Sequence, residues 1–367
     1  MINTKVLALA TVLLSIQLTA CNEGQKDKSN YYTEGDYASV EKYDSHVHIN
    51  TTNPWFIVHA REDNFRLLDL NVEAPGLPSV EEQRGFSIAN VKAFPGELAF
   101  VTTFDVNNWS DSNWQAKTLL YLKESFDLGA IGVKVWKNIG MDIKDKDGKF
   151  LMIDNPRFDT VIDFIQKNNK TLVGHLGEPK NCWLPLDKMT VKNDRNYFTG
   201  HPQYHMFLHP EYPTYENQVD ARDHMLEKHP GLRFCGAHLG SLEWSFDELA
   251  KRLDKFPDMA VDMAERISHL QYLTTLDHQK AVDFFMKYQD RLIYATDMSA
   301  SDDMDSTAKA KEYHDVRVAH WKYFTSDETM TAPELENSFK ALHLPKDVVD
   351  KIYRRNFEKW FPGYPRK

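Results

Sequence analysis

The feature of this chain that most narrows its fold is a repeated alternation of short apolar runs with longer, helix-like ones. Eight runs have the β-branched, aromatic and aliphatic content of buried strands, at 43–48, 65–72, 98–104, 130–136, 171–175, 232–238, 259–263 and 291–297. Runs of that length suit strands covered on both faces. The segments between them carry helix signals. Ser79-Val80-Glu81-Glu82 and Ser245-Phe246-Asp247-Glu248 read as capping boxes. Residues 114–128 set Leu119, Leu122 and Phe126 at helical spacing with Gly129 at the stop. Asn155-Pro156 opens a helix whose Phe158, Val161, Ile162 and Ile165 fall on one stripe. Further helices are expected at 277–288, 308–324, 331–343 and 346–360. Strands separated by helices run parallel and are joined by crossovers, and eight such units fit a closed α/β barrel, the (β/α)8 or TIM barrel. An open doubly wound sheet is the alternative, weakened by the lack of a glycine-rich phosphate loop after the first strand.

The barrel is expected to occupy residues 38–367. Ahead of it, residues 1–20 read as a signal peptide, with Lys5 as the positive flank of an apolar run from Val6 to Leu14. That run is too short for a mature membrane span. Leu18-Thr19-Ala20-Cys21 resembles the bacterial lipobox, which implies cleavage before Cys21 and lipidation of its thiol. Residues 21–37 read as a flexible polar tether. The expectation is a lipid-anchored protein of the bacterial cell envelope, touching the membrane only through Cys21. The remaining thiols, Cys182 and Cys235, do not make a disulfide framework and read as buried small hydrophobes. A formal net charge of −10 with no basic block argues against a nucleic-acid partner.

In barrels of parallel strands, chemistry gathers where the strands end. The first run ends in His46-Val47-His48, two imidazoles set on one face by the period of two. The fifth ends in His175, the sixth in His238 and the eighth in Asp297. Each is a residue type that binds divalent metal. Lys134 shares an inward strand face with Trp136 on the fourth run. A long connection, 178–213, is expected to form an aromatic lid over the mouth, with its histidines lacking ligand-like spacing. Glu178 and Trp183 on it, and Arg266 after the seventh run, are candidate substrate contacts.

Taken together, His-x-His, two strand-end histidines and a strand-end aspartate resemble the amidohydrolase superfamily of metal-dependent hydrolases. Gly-Ala-His238-Leu-Gly and Ala-Thr-Asp297 look most like its family 2 branch, which includes lactonases and aminocarboxymuconate-semialdehyde decarboxylase-type lyases. The resemblance implies one divalent metal ion, zinc by expectation, held by His46, His48, His175 and Asp297. It makes Asp297 also the base that takes a proton from water, and His238 the group that polarises a substrate carbonyl. The alternative is a binuclear site bridged by a carboxylated Lys134, with His175 and His238 on the second metal. The implied function is hydrolysis of a lactone, ester or amide of a small molecule. The runner-up is non-oxidative decarboxylation of a small carboxylic acid, and a binding lipoprotein without catalysis is a third class that the complete ligand set opposes.

Overall fold

The computed structural model describes residues 30–365, so the signal sequence and Cys21 lie outside the described residues. Eight parallel strands form in the order expected: β1 (Lys42–Ile49), β2 (Phe65–Leu70), β3 (Leu98–Val101), β4 (Gly132–Val135), β5 (Thr171–Gly174), β6 (Phe234–Gly236), β7 (Met259–Asp262) and β8 (Leu292–Ile293). A short ninth piece, β9 (Met298–Ala300), continues the path of β8. Each strand pairs with the next in sequence from β1 to β3 and from β4 to β8. The seam between β3 and β4 is bridged at Thr102–Val133. The last seam is closed by Ser45 N–H donating to Tyr294 O at 3.1 Å, Asp297 N–H donating to His46 O at 2.8 Å, and β9 pairing with β1. The result is the (β/α)8 barrel that the alternation implied.

Strand alternation divides the side chains. Leu68, Val101, Val173, Cys235, Ala260 and Ile293 fill the interior, where Phe357, Trp360 and Phe361 of the C-terminal helical segment pack against them. Val133, Val135 and Leu172 face the helix layer instead, packing with Phe158, Ile162 and Ile165. That helix, Pro156–Lys167, is capped by Asn155, whose side chain accepts from Arg157 N–H, and all four expected stripe residues are buried. The Ser79 capping box closes on both sides, as expected. At Ser245 only the serine half forms, with its hydroxyl accepting from Glu248 N–H.

Two expectations are corrected. Residues 331–343 are not a helix. Thr329–Met330 and Phe339–Lys340 pair as an antiparallel hairpin, and Leu342 and Leu344 donate to Tyr323 O and Phe324 O at the end of the preceding helix. The apolar spacing of Leu335, Phe339 and Leu342 mimics a helical stripe. Pro333 disfavours helical geometry in the residue before it, and Asn337-Ser338 favours a turn. The tether also does not run free to Tyr37. Tyr31 bridges to Pro345, Tyr32 Oη donates to Asp350 Oδ1 at 2.8 Å, Trp321 Nε1 donates to Thr33 O at 3.1 Å, and Tyr37 is buried. Three tyrosines supply the apolar area that fixes residues 30–37 to the barrel wall.

The connection after β5 folds as a lid with its own small core of Cys182, Met189, Phe198 and Met206. Its histidines serve its own backbone: His201 meets Tyr197 O at 2.8 Å, His205 Leu184 O at 2.7 Å and His209 Pro202 O at 2.9 Å. Both remaining thiols are buried and free.

Candidate active site

The site is assembled at the strand ends by three departures from regular strand geometry. In β1 the register with β2 shifts between Asp44 and Val47. This irregularity lets Tyr43 point into the barrel and Asp44 out toward Arg317, yet brings His46 back to the mouth. After β6, His238, Leu239, Gly240 and Ser241 all adopt left-handed φ, between 57° and 62°. Asp297 does the same after β8, at φ 68°. Non-glycine residues rarely hold this conformation, and it clusters where a fold must aim a side chain.

The imidazoles are fixed from behind. His46 Nδ1 lies 2.9 Å from Asp262 Oδ2, His48 Nδ1 2.6 Å from Leu70 O, and His238 Nδ1 2.9 Å from Ala264 O. All three partners can only accept, so each Nδ1 carries the proton and donates. Each Nε2 therefore carries a lone pair and points forward. His46 Nε2 and His48 Nε2 converge on one atom, Asp297 Oδ1, at 3.2 and 3.1 Å. Ligand atoms of His46, His238 and Asp297 all lie within 4.8 Å of one another. His175 Nδ1 donates to His238 Nε2 at 3.1 Å, and its Nε2 is buried without a partner.

Burial keeps the His46, His175 and His238 rings neutral. It lowers His46 and His175 below the ordinary histidine range and His238 to about 3. Asp297 is an ionised carboxylate near neutral pH, as aspartates ordinarily are. The site thus sets several lone pairs against an ionised carboxylate, with no proton between them. Such an arrangement calls for a cation at the point of convergence. Imidazoles whose rear N–H is tied to a carbonyl or carboxylate are also the usual form of a metal-binding histidine. The donor set fits a divalent metal held by nitrogen and oxygen.

The positive charge nearby is Lys134, 1% exposed, with Nζ 3.0 Å from His46 Nε2. Burial pulls its ammonium down to about 8, against the opposing pull of Asp262 and Asp297. Asp262 is the residue the sequence reading missed. At the end of β7 it takes His46 Nδ1–H on one oxygen and the backbone N–H groups of His238 and Ala264 on the other, at 2.8 and 3.1 Å. One carboxylate thereby orients the β1 and β6 histidines together. Burial would raise it, but His46, and then His238 and Lys134, hold it below the carboxylate range. The signal was a single acid in the apolar run Met259-Ala260-Val261-Asp262-Met263, at the same height as the other strand ends.

Five of the residues singled out from strand ends therefore come together, with Lys134 beside them. One assigned role changes its terms. His238 was expected to polarise a carbonyl, which needs a proton on Nε2, whereas the Ala264 contact places the proton on Nδ1. The three lower-ranked contacts line neither cavity that reaches Asp297. Glu178 is ion-paired to Lys137, Trp183 Nε1 donates to Pro213 O at 3.3 Å, and Arg266 is buried beneath the lid, giving Nη1 to Glu265 O at 3.0 Å. One of those cavities, about 320 Å³, is walled by Lys134, Trp136, Lys137, His48, His175 and Asp297. The other, about 540 Å³, lies on the β8 side and shares Asp297 and Ser299 with the first.

A parallel barrel with histidines and an aspartate gathered at its strand ends defines a metal-dependent barrel enzyme. Residues 106–363 match the family described as Amidohydrolase, and the chain belongs to that family. Solved structures with the same fold include 2,6-dihydroxybenzoate decarboxylase from Rhizobium, which aligns at a TM-score of 0.51 over 88% of this chain and 98% of its own, with 14% identity. A protein described as amidohydrolase II aligns at 0.51 over 88% and 99%, with 14% identity. One from Pseudomonas putida, described as a 2-pyrone-4,6-dicarboxylic acid hydrolase, aligns at 0.50 over 89% and 99%, with 12% identity. At these identities the likeness carries the fold and not the reaction. No curated protein sequence matches the chain.

Proposed function

We propose that the protein is a hydrolase that opens a lactone, ester or amide bond of a small molecule with metal-activated water. The observation that carries this reading is the convergence of the His46 and His48 lone pairs on Asp297 Oδ1. His46, His48, His175 and Asp297 would hold one ion, zinc by donor chemistry, with His238 within the same reach. A divalent ion there supplies the charge that brings a water's pKa toward 7. Asp297, ionised and at the cavity wall, accepts the proton that this water releases. His238 is neutral at rest, so it becomes a donor only by taking over the proton that Asp297 has accepted; as an imidazolium anchored to Ala264 O it would then stabilise the oxyanion. Lys134, facing the same cavity, contributes positive charge to the substrate or the developing anion.

Decarboxylation remains the second reading, favoured by the presence of Lys134 and Lys137 in one cavity wall, where they could bind a substrate carboxylate. Against it, Lys137 is already paired with Glu178 and Arg266 lines neither cavity. Screening lactones, esters, N-acyl compounds and aromatic carboxylates separates the two. Acid release without CO2 supports the hydrolase, and CO2 evolution from an aromatic carboxylate overturns it. The envelope location belongs to the same proposal and rests on residues 5–21 alone. Mass spectrometry of the native membrane fraction should find acylated Cys21 at the mature amino terminus, whereas a free thiol there contradicts it. Among the described residues no helix is long and apolar enough to cross a membrane.

A further inference from the structure

The larger cavity differs from the smaller one in the sign of its charge. Glu265, exposed at the cavity mouth, and Glu334, half-buried, both line it, and neither carboxylate has an ion-pair or hydrogen-bond partner among the described residues. Asp297 contributes a third carboxylate to the same wall. The lining cation Lys309 is engaged by Glu312 at 2.9 Å. Arg266, next in sequence to Glu265, reaches only its carbonyl oxygen. A second, independent feature points to a ligand. Gln271 lines this cavity and is 4% exposed as a residue, and its amide, open to the cavity, has no hydrogen-bond partner among the described residues. Buried amides are ordinarily satisfied, so one left open toward a cavity implies a group that completes it. The surrounding protein and the Asp297 charge push Glu265 up to about 7, which a cation in the cavity would reverse. Arg266 offsets part of this like charge through space, but it pairs with neither glutamate among the described residues.

We propose that this cavity receives a protonated primary amine of the substrate, so that the protein acts on amino-bearing esters, lactones or amides. The inference rests on the hydrolase reading for the reaction, although the amine site itself does not. A primary ammonium has three donors, and Glu265, Glu334 and the Gln271 carbonyl are open acceptors on the wall of this one cavity. Because Asp297 borders both cavities, a ligand anchored by its amine on the β8 side extends its carbonyl toward the histidines. The smaller cavity, with its lysines, then takes the remainder of the molecule. Loss of one charge-assisted contact is expected to be visible as a change in selectivity between amine and non-amine substrates.

The test compares p-nitroanilides and ethyl esters of alanine with those of propionic acid, which lack only the amine. In the wild-type protein kcat/KM should favour the amine by at least about tenfold, a single charge-assisted contact. Glu265→Gln should bring that ratio close to one, and Glu334→Gln should lower it to an intermediate value. Equal turnover of both series by the wild type, or an unchanged ratio in both variants, overturns the proposal. If neither series is turned over, calorimetric titration with alaninamide and propionamide separates the two ideas. Glu265-dependent binding of alaninamide alone supports the amine site while the hydrolase reading fails; equal binding, or none of either, overturns the amine site as well.

Discussion

Lys42 and Lys134 are both fully buried lysines on barrel strands, and burial lowers both, to about 7 and about 8. Their surroundings are opposite. Lys42 Nζ donates to Tyr37 O and to Val40 O, and it sits 4.4 Å above the Tyr37 ring and 4.9 Å above that of Phe65. Its donors and its charge are taken up by carbonyls and π faces of the protein itself. Lys134 has His46 as its hydrogen-bond partner, neighbouring carboxylates, and an open cavity on its remaining side. Asp44 and Asp297 repeat the contrast. Asp44 accepts from Thr296 N–H and Oγ–H at 3.0 and 2.7 Å and meets Arg317, whereas Asp297 faces lone pairs. A buried charge whose valences are all filled from within holds the fold. One left open toward a cavity is poised for something that is not protein.

The contrast is broken or sharpened by substitution. The largest effect is expected for Asp297→Asn, which removes a ligand charge and the base together; turnover should fall by more than the 10²–10³ typical of losing one stabilising donor, read as kcat on any substrate found. His238→Asn should lose on the order of 10²–10³ in kcat while metal content stays at the wild-type level. Loss of metal in that variant would instead make His238 a ligand. Asp262→Asn leaves every donor in place but weakens the hold on two of them, and a loss of about 10–100-fold in metal affinity or activity is expected. Wild-type affinity and rate in Asp262→Asn would reduce that residue to a structural brace.

The smallest catalytic effect belongs to the lysine at the fold's end of the comparison. Lys134→Met should lower kcat, whereas Lys42→Met should leave it at the wild-type level and act on stability. The sign follows from linkage. The folded pKa of Lys42, about 7, lies below its unfolded value of 10.5. Between those values the unfolded chain binds more protons, so this group makes stability rise with pH across that window. Lys42→Met should flatten the rise in denaturant midpoint between about pH 7 and 10, and an unchanged slope would show that its charge is not the cause.

The comparison also separates what was readable in the sequence. All eight strands were legible from their apolar runs, and the five strand-end candidates because four of those runs terminate in His or Asp. Lys134 was legible as inward-facing from its alternation with Trp136. Asp262 was not, since one acid inside an apolar strand looks the same whether it braces a ring or faces solvent. The shift of register in β1 was hidden too. By strict alternation Asp44 shares a face with His46, and only the pairing with β2 reveals that the two point apart. The hairpin at 329–340 was misread because its apolar spacing fits two periods, and tertiary pairing with the preceding helix decided between them. The docking of residues 30–37 was obscured by averaging three tyrosines into a polar stretch.

The central claim is that the convergence at Asp297 is a metal site. Anomalous diffraction from crystals of protein purified without chelator tests it most directly. One strong peak is expected at about 2.0–2.2 Å from His46 Nε2, His48 Nε2 and an Asp297 oxygen, with His175 Nε2 turned to the same point. No peak at these atoms, with His46 and His48 still resting on Asp297, would contradict it.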